Sequence, residues 1–402
     1  MLVSASHKTS SGVYPIRELY RILFPTQKNT ICFESSPDYS DNSWALFQYM
    51  VKNGYNEKYR LCWIADKQNP EFRSQKNIVF VARSRYFSVV KQLYRSQYIF
   101  YTHGMTGLIR IRKDQTVVNL WHGCGYKASR NKDTYNSKFS LRRLLNSSKM
   151  NFNYVLVPGP VFIKTKSVFF NCREEQVLPI GYPRYDLLFS PCPRWPEIRK
   201  AWKLENRKCV IWMPTYRRTG NNMYRENSMQ NQYWLPLLRN DDDLKRLNVY
   251  CELNGIVLLI KKHRLQMVFH KDLREMDNIV FLDDQDLCEM GVQLYEILQF
   301  TDALITDYSS VAVDYLLLDK PIAFTLDDYN EYALKRGFVF ENAKQYMPGH
   351  HILQLEDLEL FLWEISRGTD RYREKRFAKM PVLQNRCENY SKRVLDYFNI
   401  MK

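Results

Sequence analysis

The stretch Ala303–Phe324, ALITDYSSVAVDYLLLDKPIAF, decides how this chain reads. A short apolar run, Ala303–Thr306, stops at Asp307-Tyr308-Ser309-Ser310. Apolar residues at helical spacing follow (Val311, Val313, Tyr315, Leu316, Leu317), and Lys320-Pro321 opens a second apolar run, Ile322–Phe324. That order predicts strand, polar loop, short helix, strand. The loop then falls at the carboxyl end of a strand and the amino end of a helix. Unpaired N–H groups and the positive end of the helix dipole attract anions there. Thr306, Ser309 and Ser310 add hydroxyl donors that suit phosphate oxygens, and Asp307 stands among them. The same residues also satisfy a plain helix N-cap, so the rest of the chain has to choose.

Outward from this stretch the pattern repeats. Upstream, Cys209–Met213 reads as a strand running into Pro214-Thr215-Tyr216-Arg217-Arg218. Ile256–Lys261 is a buried strand ending at Lys262-His263-Arg264. Ile279–Leu282 is another strand, and Leu287–Phe300 a helix. Thr219–Gln232 reads as a flexible loop. Thr215, Arg217, His263, Ser309 and Ser310 thus all follow apolar strands, and Lys262 adds charge beside His263. Polar groups at successive strand ends of an open α/β sheet converge on one crevice. This convergence favours phosphate binding over a bare N-cap.

The first half alternates in the same way. Strands are expected at Asn29–Phe33, Arg60–Ala65, Ile78–Val81, Tyr98–Thr102, Thr116–Leu120, Tyr154–Pro158 and Gln176–Ile180. Helices are expected at Ser43–Lys52, stopped by Asn53-Gly54, and at the basic amphipathic Ser84–Arg95. Repeated strand–helix units imply parallel sheets with helices on both faces. After the run Val117–Leu120 comes Trp121–Lys127, WHGCGYK. His122 therefore sits at a strand's carboxyl end, Gly123 and Gly125 permit a tight turn or a close approach, and Lys127 brings positive charge. The prolines of Pro191–Pro196 mark the boundary between a domain over 1–190 and one over 191–402. The basic, helix-rich tail Leu358–Lys402 is a candidate to cross back onto the first.

The totals agree with two domains. A chain of 402 residues with 45% hydrophobic and 14% aromatic residues has material for two cores. Its nine cysteines are scattered with no CxxC pair, which argues against a zinc or disulfide framework and for a reducing cytosol. Met1–Ser11 offers no apolar signal core, and no apolar run approaches a membrane span. Lys plus Arg number 59 against 43 acids, a net charge of +16 that calls for an anionic partner. The densest basic tract, Lys127–Lys149, interleaves Tyr135, Phe139, Leu141, Leu144 and Leu145 with its charges, a composition suited to an anionic membrane surface. Pro15–Phe24 reads as an amphipathic helix, either lying at a membrane interface or, the favoured reading, packed on a domain.

At these residues the chain resembles the CDP-glycerol glycerophosphotransferase family, enzymes that add polyol phosphate to bacterial teichoic acids and some capsules. The blocks that carry the resemblance are Phe33–Met50, WHGCGYK, GYPRYDLL (Gly181–Leu188), MPTYR (Met213–Arg217), KKHR (Lys261–Arg264), ITDYSSVAVDY (Ile305–Tyr315) and RGFVFENAKQYMPG (Arg336–Gly349). The resemblance implies a GT-B-like α/β fold, two facing Rossmann-type domains with parallel sheets. CDP-glycerol or a related CDP-polyol would be the donor, held in the second domain. An undecaprenyl-linked saccharide would be the acceptor, at the cytoplasmic face of the membrane without a spanning helix. By position, His122 matches the family's presumed base and His263 its second histidine, at the donor's diphosphate; Arg217, Ser309 and Ser310 match donor-pocket positions. Cys124-Gly125-Tyr126 and Arg264 depart from the family's usual residues. No cofactor or obligatory metal is expected, although Asp307 and Asp314 keep a metal open. A GT-B glycosyltransferase using a nucleotide sugar is the rival enzyme reading. A nucleic-acid-binding protein, the rival that the charge suggests, leaves the strand-end cluster unexplained.

Overall fold

The computed structural model describes residues 19–72, 74–103, 109–128, 135, 152–215, 235–261 and 276–402. Two parallel sheets organise them. The first has seven strands in the order β3-β2-β1-β4-β5-β6-β7. These are β1 (Gln27–Glu34), β2 (Arg60–Ala65), β3 (Ile78–Ala82), β4 (Ser96–Tyr101), β5 (Thr116–Asn119), β6 (Tyr154–Leu156) and β7 (Val177–Leu178). The second has six, in the order β10-β9-β8-β11-β12-β13. Its strands are β8 (Lys208–Met213), β9 (Ile256–Lys261), β10 (Ile279–Leu282), β11 (Ala303–Thr306), β12 (Ile322–Thr325) and β13 (His350–Ile352). Strand order reverses between β1 and β4 and between β8 and β11, so each sheet has a switch point where crevices open at strand carboxyl ends.

Side-chain alternation along a strand divides the second half's core. In β8, Cys209 and Ile211 belong to one cluster that runs on into the first half, together with Leu304, Tyr308 and Phe324. Val210 and Trp212 point the other way, into a second cluster under the helices Asp241–Leu253 and Leu355–Ser366. Every residue of β9 is buried, as expected of a parallel strand covered on both faces.

Several expected boundaries move. The apolar stretch Leu287–Phe300 is not one helix but two, Asp284–Glu289 and Leu294–Leu298. Gly291 breaks it with φ +68°, and reciprocal caps by Asp283 with Asp286 and Gln293 with Glu296 start each piece afresh. The expected strand Gln176–Ile180 contracts to Val177–Leu178, because Pro179 has no N–H to donate to a ladder. The helix after Ser310 spans only Val311–Tyr315 before a 3₁₀ turn, Leu316–Leu318.

The end of the chain lies on the first half. Asn389 caps the helix Tyr390–Tyr397 by accepting from the Lys392 N–H at 2.7 Å. The Tyr390 and Ser391 N–H groups both donate to the Asp186 carboxylate, at 2.7 and 2.9 Å. Phe398 packs against Phe100 and Tyr154 of the first sheet. Much of the basic tract Lys127–Lys149 and the start of Pro15–Phe24 lie outside the described residues.

Candidate active site

The turn that presents His122 is fixed by its neighbours. β5 ends at Asn119, whose Oδ1 accepts from the Trp121 N–H at 2.9 Å. Asn42, in the helix Asp41–Lys52 that follows β1, donates from Nδ2 to the Leu120 and Trp121 carbonyls at 3.3 and 2.8 Å. Trp121 takes φ +55°, a left-handed conformation costly for a bulky residue. These side-chain bonds hold it there, and so set the direction of His122.

The next two glycines carry the contact with the other half. A Cβ at Gly123 would lie 2.6 Å from Ser310 Oγ, and one at Gly125 would lie 2.9 Å from both the N and Cα of Ser310. The WHGCGYK turn therefore closes directly on the start of the helix after β11. Beyond it, Tyr126 accepts from the Val339 N–H at 2.9 Å, Ala128 donates to the Gly337 carbonyl at 3.1 Å, and Lys127 pairs with Phe338 as an isolated bridge. Because the obstacle at Gly125 is backbone, Gly125→Ala must push the halves apart. Activity is expected to fall at least about tenfold with little change in melting temperature, since a displacement near 1 Å at a reacting centre costs far more rate than stability. Parallel turnover and thermal-melt measurements check this.

His122 is exposed to solvent, although many protein atoms surround its ring. The ring stacks on His103, centroids 4.5 Å apart at 14°, and lies 4.0 Å from the ring of Trp121. The crowding disfavours the imidazolium. Coulombic repulsion from His103, Arg184 and Lys166 opposes it further, while Asp41 favours it; the pKa falls to about 3. His122 is accordingly a neutral imidazole at neutral pH. Lys166, nearly buried, sits 5.5 Å over the Trp121 ring and 4.8 Å over Phe169.

Arg184 ties the two halves together behind this turn. Its Nη1 donates to Asp41 at 2.6 Å and to the His122 carbonyl at 3.0 Å, and its Nη2 to Asp314 at 2.8 Å. Asp314, fully buried, also accepts from the Tyr185 and Tyr295 hydroxyls. Its oxygens are thus engaged by protein donors.

In the second half, Asp307 spans the switch point. Fully buried, it accepts from the Thr215 N–H at 2.7 Å and from the Thr215 hydroxyl. The Thr306 hydroxyl donates to the Met213 carbonyl at 2.7 Å. Thr306, Asp307 and Thr215 therefore lock the loops after β8 and β11 to one another, a positioning use of groups read from the sequence as phosphate donors. Ser309 and Ser310 are only part-buried and lie where the two halves meet. Arg217, Lys262 and His263 lie outside the described residues. His103, Asp41, Asn42, Lys166 and Arg184 escaped the residue-by-residue reading. Asp41, Asn42 and Arg184 stood in blocks singled out for the resemblance, but as letters whose partners lie far away in sequence.

Two facing Rossmann-type domains with a cleft at their switch points define a GT-B-like molecule. The structure of the wall teichoic acid polymerase TagF superposes with a TM-score of 0.73 at 23% identity, over 95% of this chain and 92% of that one. The chain belongs to the CDP-glycerol:poly(glycerophosphate) glycerophosphotransferase family, whose model matches residues 17–398. Among curated relatives, the ribitol-phosphate polymerase TarL of Staphylococcus aureus is 25% identical over 357 residues, 85% of this chain and 58% of TarL. A poly(glycerol phosphate) polymerase of Bacillus spizizenii is 26% identical over 339 residues, 80% of each chain. The chain spans 58% of the length of TarL and likewise 58% of the Bacillus spizizenii ribitol-phosphate primase.

Proposed function

We propose that the protein transfers glycerol phosphate, or a related polyol phosphate, from a CDP-polyol to a hydroxyl of a lipid-linked glycopolymer acceptor, releasing CMP. The observation that carries this reading is the closing of the turn that bears a neutral, exposed His122 onto Ser310, through Gly123 and Gly125, on the seam between the two domains. Family membership supports the donor class, and a TagF variant soaked with CDPG gives a superposition of the same quality.

In this reading the acceptor oxygen bonds to the donor's β-phosphorus as the bond to the CMP oxygen breaks. His122 takes the hydroxyl proton, and the electron pair leaves with CMP. Negative charge grows on the phosphoryl oxygens and on CMP. The N–H groups and hydroxyls of Ser309 and Ser310 stabilise it, together with Arg217, Lys262, His263 and Lys127. The basic tract Lys127–Lys149 would hold the protein at the cytoplasmic face of the membrane. No helix among the described residues is long and apolar enough to cross it.

Incubation with CDP-glycerol, CDP-ribitol and a short lipid-linked acceptor, followed by mass analysis, tests the proposal. Polyol-phosphate increments on the acceptor, each with one equivalent of CMP, are expected. A hexose increment from a nucleotide sugar, with CDP-polyols inert, would replace this reading by that of a GT-B glycosyltransferase.

A further inference from the structure

A second concave surface lies on the second domain. The segment Lys344–Gly349, His351 and one face of the helix Arg373–Leu383 enclose a recess of about 360 Å³. Lys344, Lys375 and Lys379 line it, and no Asp or Glu does so among the described residues. Each ammonium is parked over a tyrosine ring: Lys344 at 4.3 Å from Tyr329, Lys375 at 4.6 Å from Tyr372, and Lys379 at 5.2 Å from Tyr346.

Other cations on the same helix are paired. Arg373 Nε donates to Asp319 at 3.0 Å, and Arg376 Nη1 to Asp370 at 2.8 Å. No ion pair with a described carboxylate joins Lys344, Lys375 or Lys379. Lys375 and Lys379, four apart on one helix face, repel each other. The cations of this helix that lack carboxylates are thus those that face the recess. A solvated helix face would scatter its unpaired lysines rather than gather them around a cavity of ligand-pocket size.

We propose that this recess binds the phosphates of a polyol-phosphate chain, a second hold on the polymer apart from the cleft. The inference rests on the transfer reading above for the nature of the chain. Regularly spaced phosphodiesters match a cluster of cations, each bond charge-assisted. A lipid surface fits less well. Lipid headgroups present their charge on a plane, whereas these three ammonium groups line a concave recess that a flat bilayer surface does not enter.

The test uses the full chain and a fluorescent glycerol-phosphate tetramer at low salt. The variant Lys344→Gln/Lys375→Gln/Lys379→Gln is expected to bind the tetramer about tenfold more weakly or worse. It should keep its melting temperature and single-unit transfer to a short acceptor, and make shorter products. Unchanged tetramer affinity overturns the proposal. So does equal affinity for glycerol 3-phosphate and the tetramer, or loss of phosphatidylglycerol-vesicle binding with the tetramer unaffected, which would make the recess a lipid site. Tetramer binding needs no turnover, so a chain inert toward every CDP-polyol would sink the transfer reading and leave this measurement to be judged by itself.

Discussion

His122→Ala is expected to lower turnover by ~10²–10⁴-fold, the usual worth of a positioned general base, while CDP-glycerol affinity changes little. The acceptor hydroxyl is a poor nucleophile while protonated, and His122 is an exposed titratable group beside the seam, carried on a turn that Asn42 holds in place. In the proposed reaction His122 bears on the acceptor, so its loss should leave the donor's hold nearly intact. The pH profile gives a sharper test. Crowding and the His103 ring hold the pKa of His122 at about 3. Its acid limb in kcat/KM, which reports the free protein, should therefore fall far below the ordinary imidazole range. From about pH 8 down to pH 5, kcat/KM should stay flat. His103→Ala removes a repulsive neighbour and should move that limb upward. A limb at about pH 6.5 in the unaltered protein, or an Ala variant with normal turnover, would remove His122 from the chemistry.

Where the chain announced its own structure, it did so through local pattern. The strands around Ala303–Phe324 were legible because an apolar run, a polar loop and a second apolar run must alternate between core and surface. The placement of His122 followed from Val117–Leu120 ahead of it. The break at Gly291 was hidden inside an apolar run that a continuous helix would have satisfied equally well. Asp307 shows a different limit. As a letter at a strand end it belongs with the phosphate-binding residues, but in the fold its carboxylate is taken up by Thr215, 92 positions away in sequence. Arg184 and Asp314, separated by 130 positions, could be paired only once the two sheets faced one another. The reach of sequence reading here is thus set by contact distance along the chain. Residues whose role shows in their own turn were found, Gly125 among them, and those whose role depends on partners far along the chain, such as Asn42 and Arg184, were not.

The second large effect is expected at that seam. Arg184→Met should destabilise the protein by about 3–5 kcal/mol, the cost of leaving a buried charge without its partner. Asp314 is fully buried, and Arg184 is the one cation hydrogen-bonded to it among the described residues. The Tyr185 and Tyr295 hydroxyls that remain supply dipoles but no charge. Arg184→Lys should recover only part of the loss. A single ammonium cannot reach Asp41, Asp314 and the His122 carbonyl in the geometry of a planar fork. The double variant Arg184→Met/Asp314→Asn separates charge from packing. If the penalty is the uncompensated carboxylate, the double variant should be more stable than Arg184→Met alone, yet still impaired in turnover because the His122 carbonyl has lost its donor. Denaturant melts on the four proteins, with turnover measured alongside, decide it. A double variant no more stable than the single one would mean that Arg184 holds the domains by shape rather than by charge.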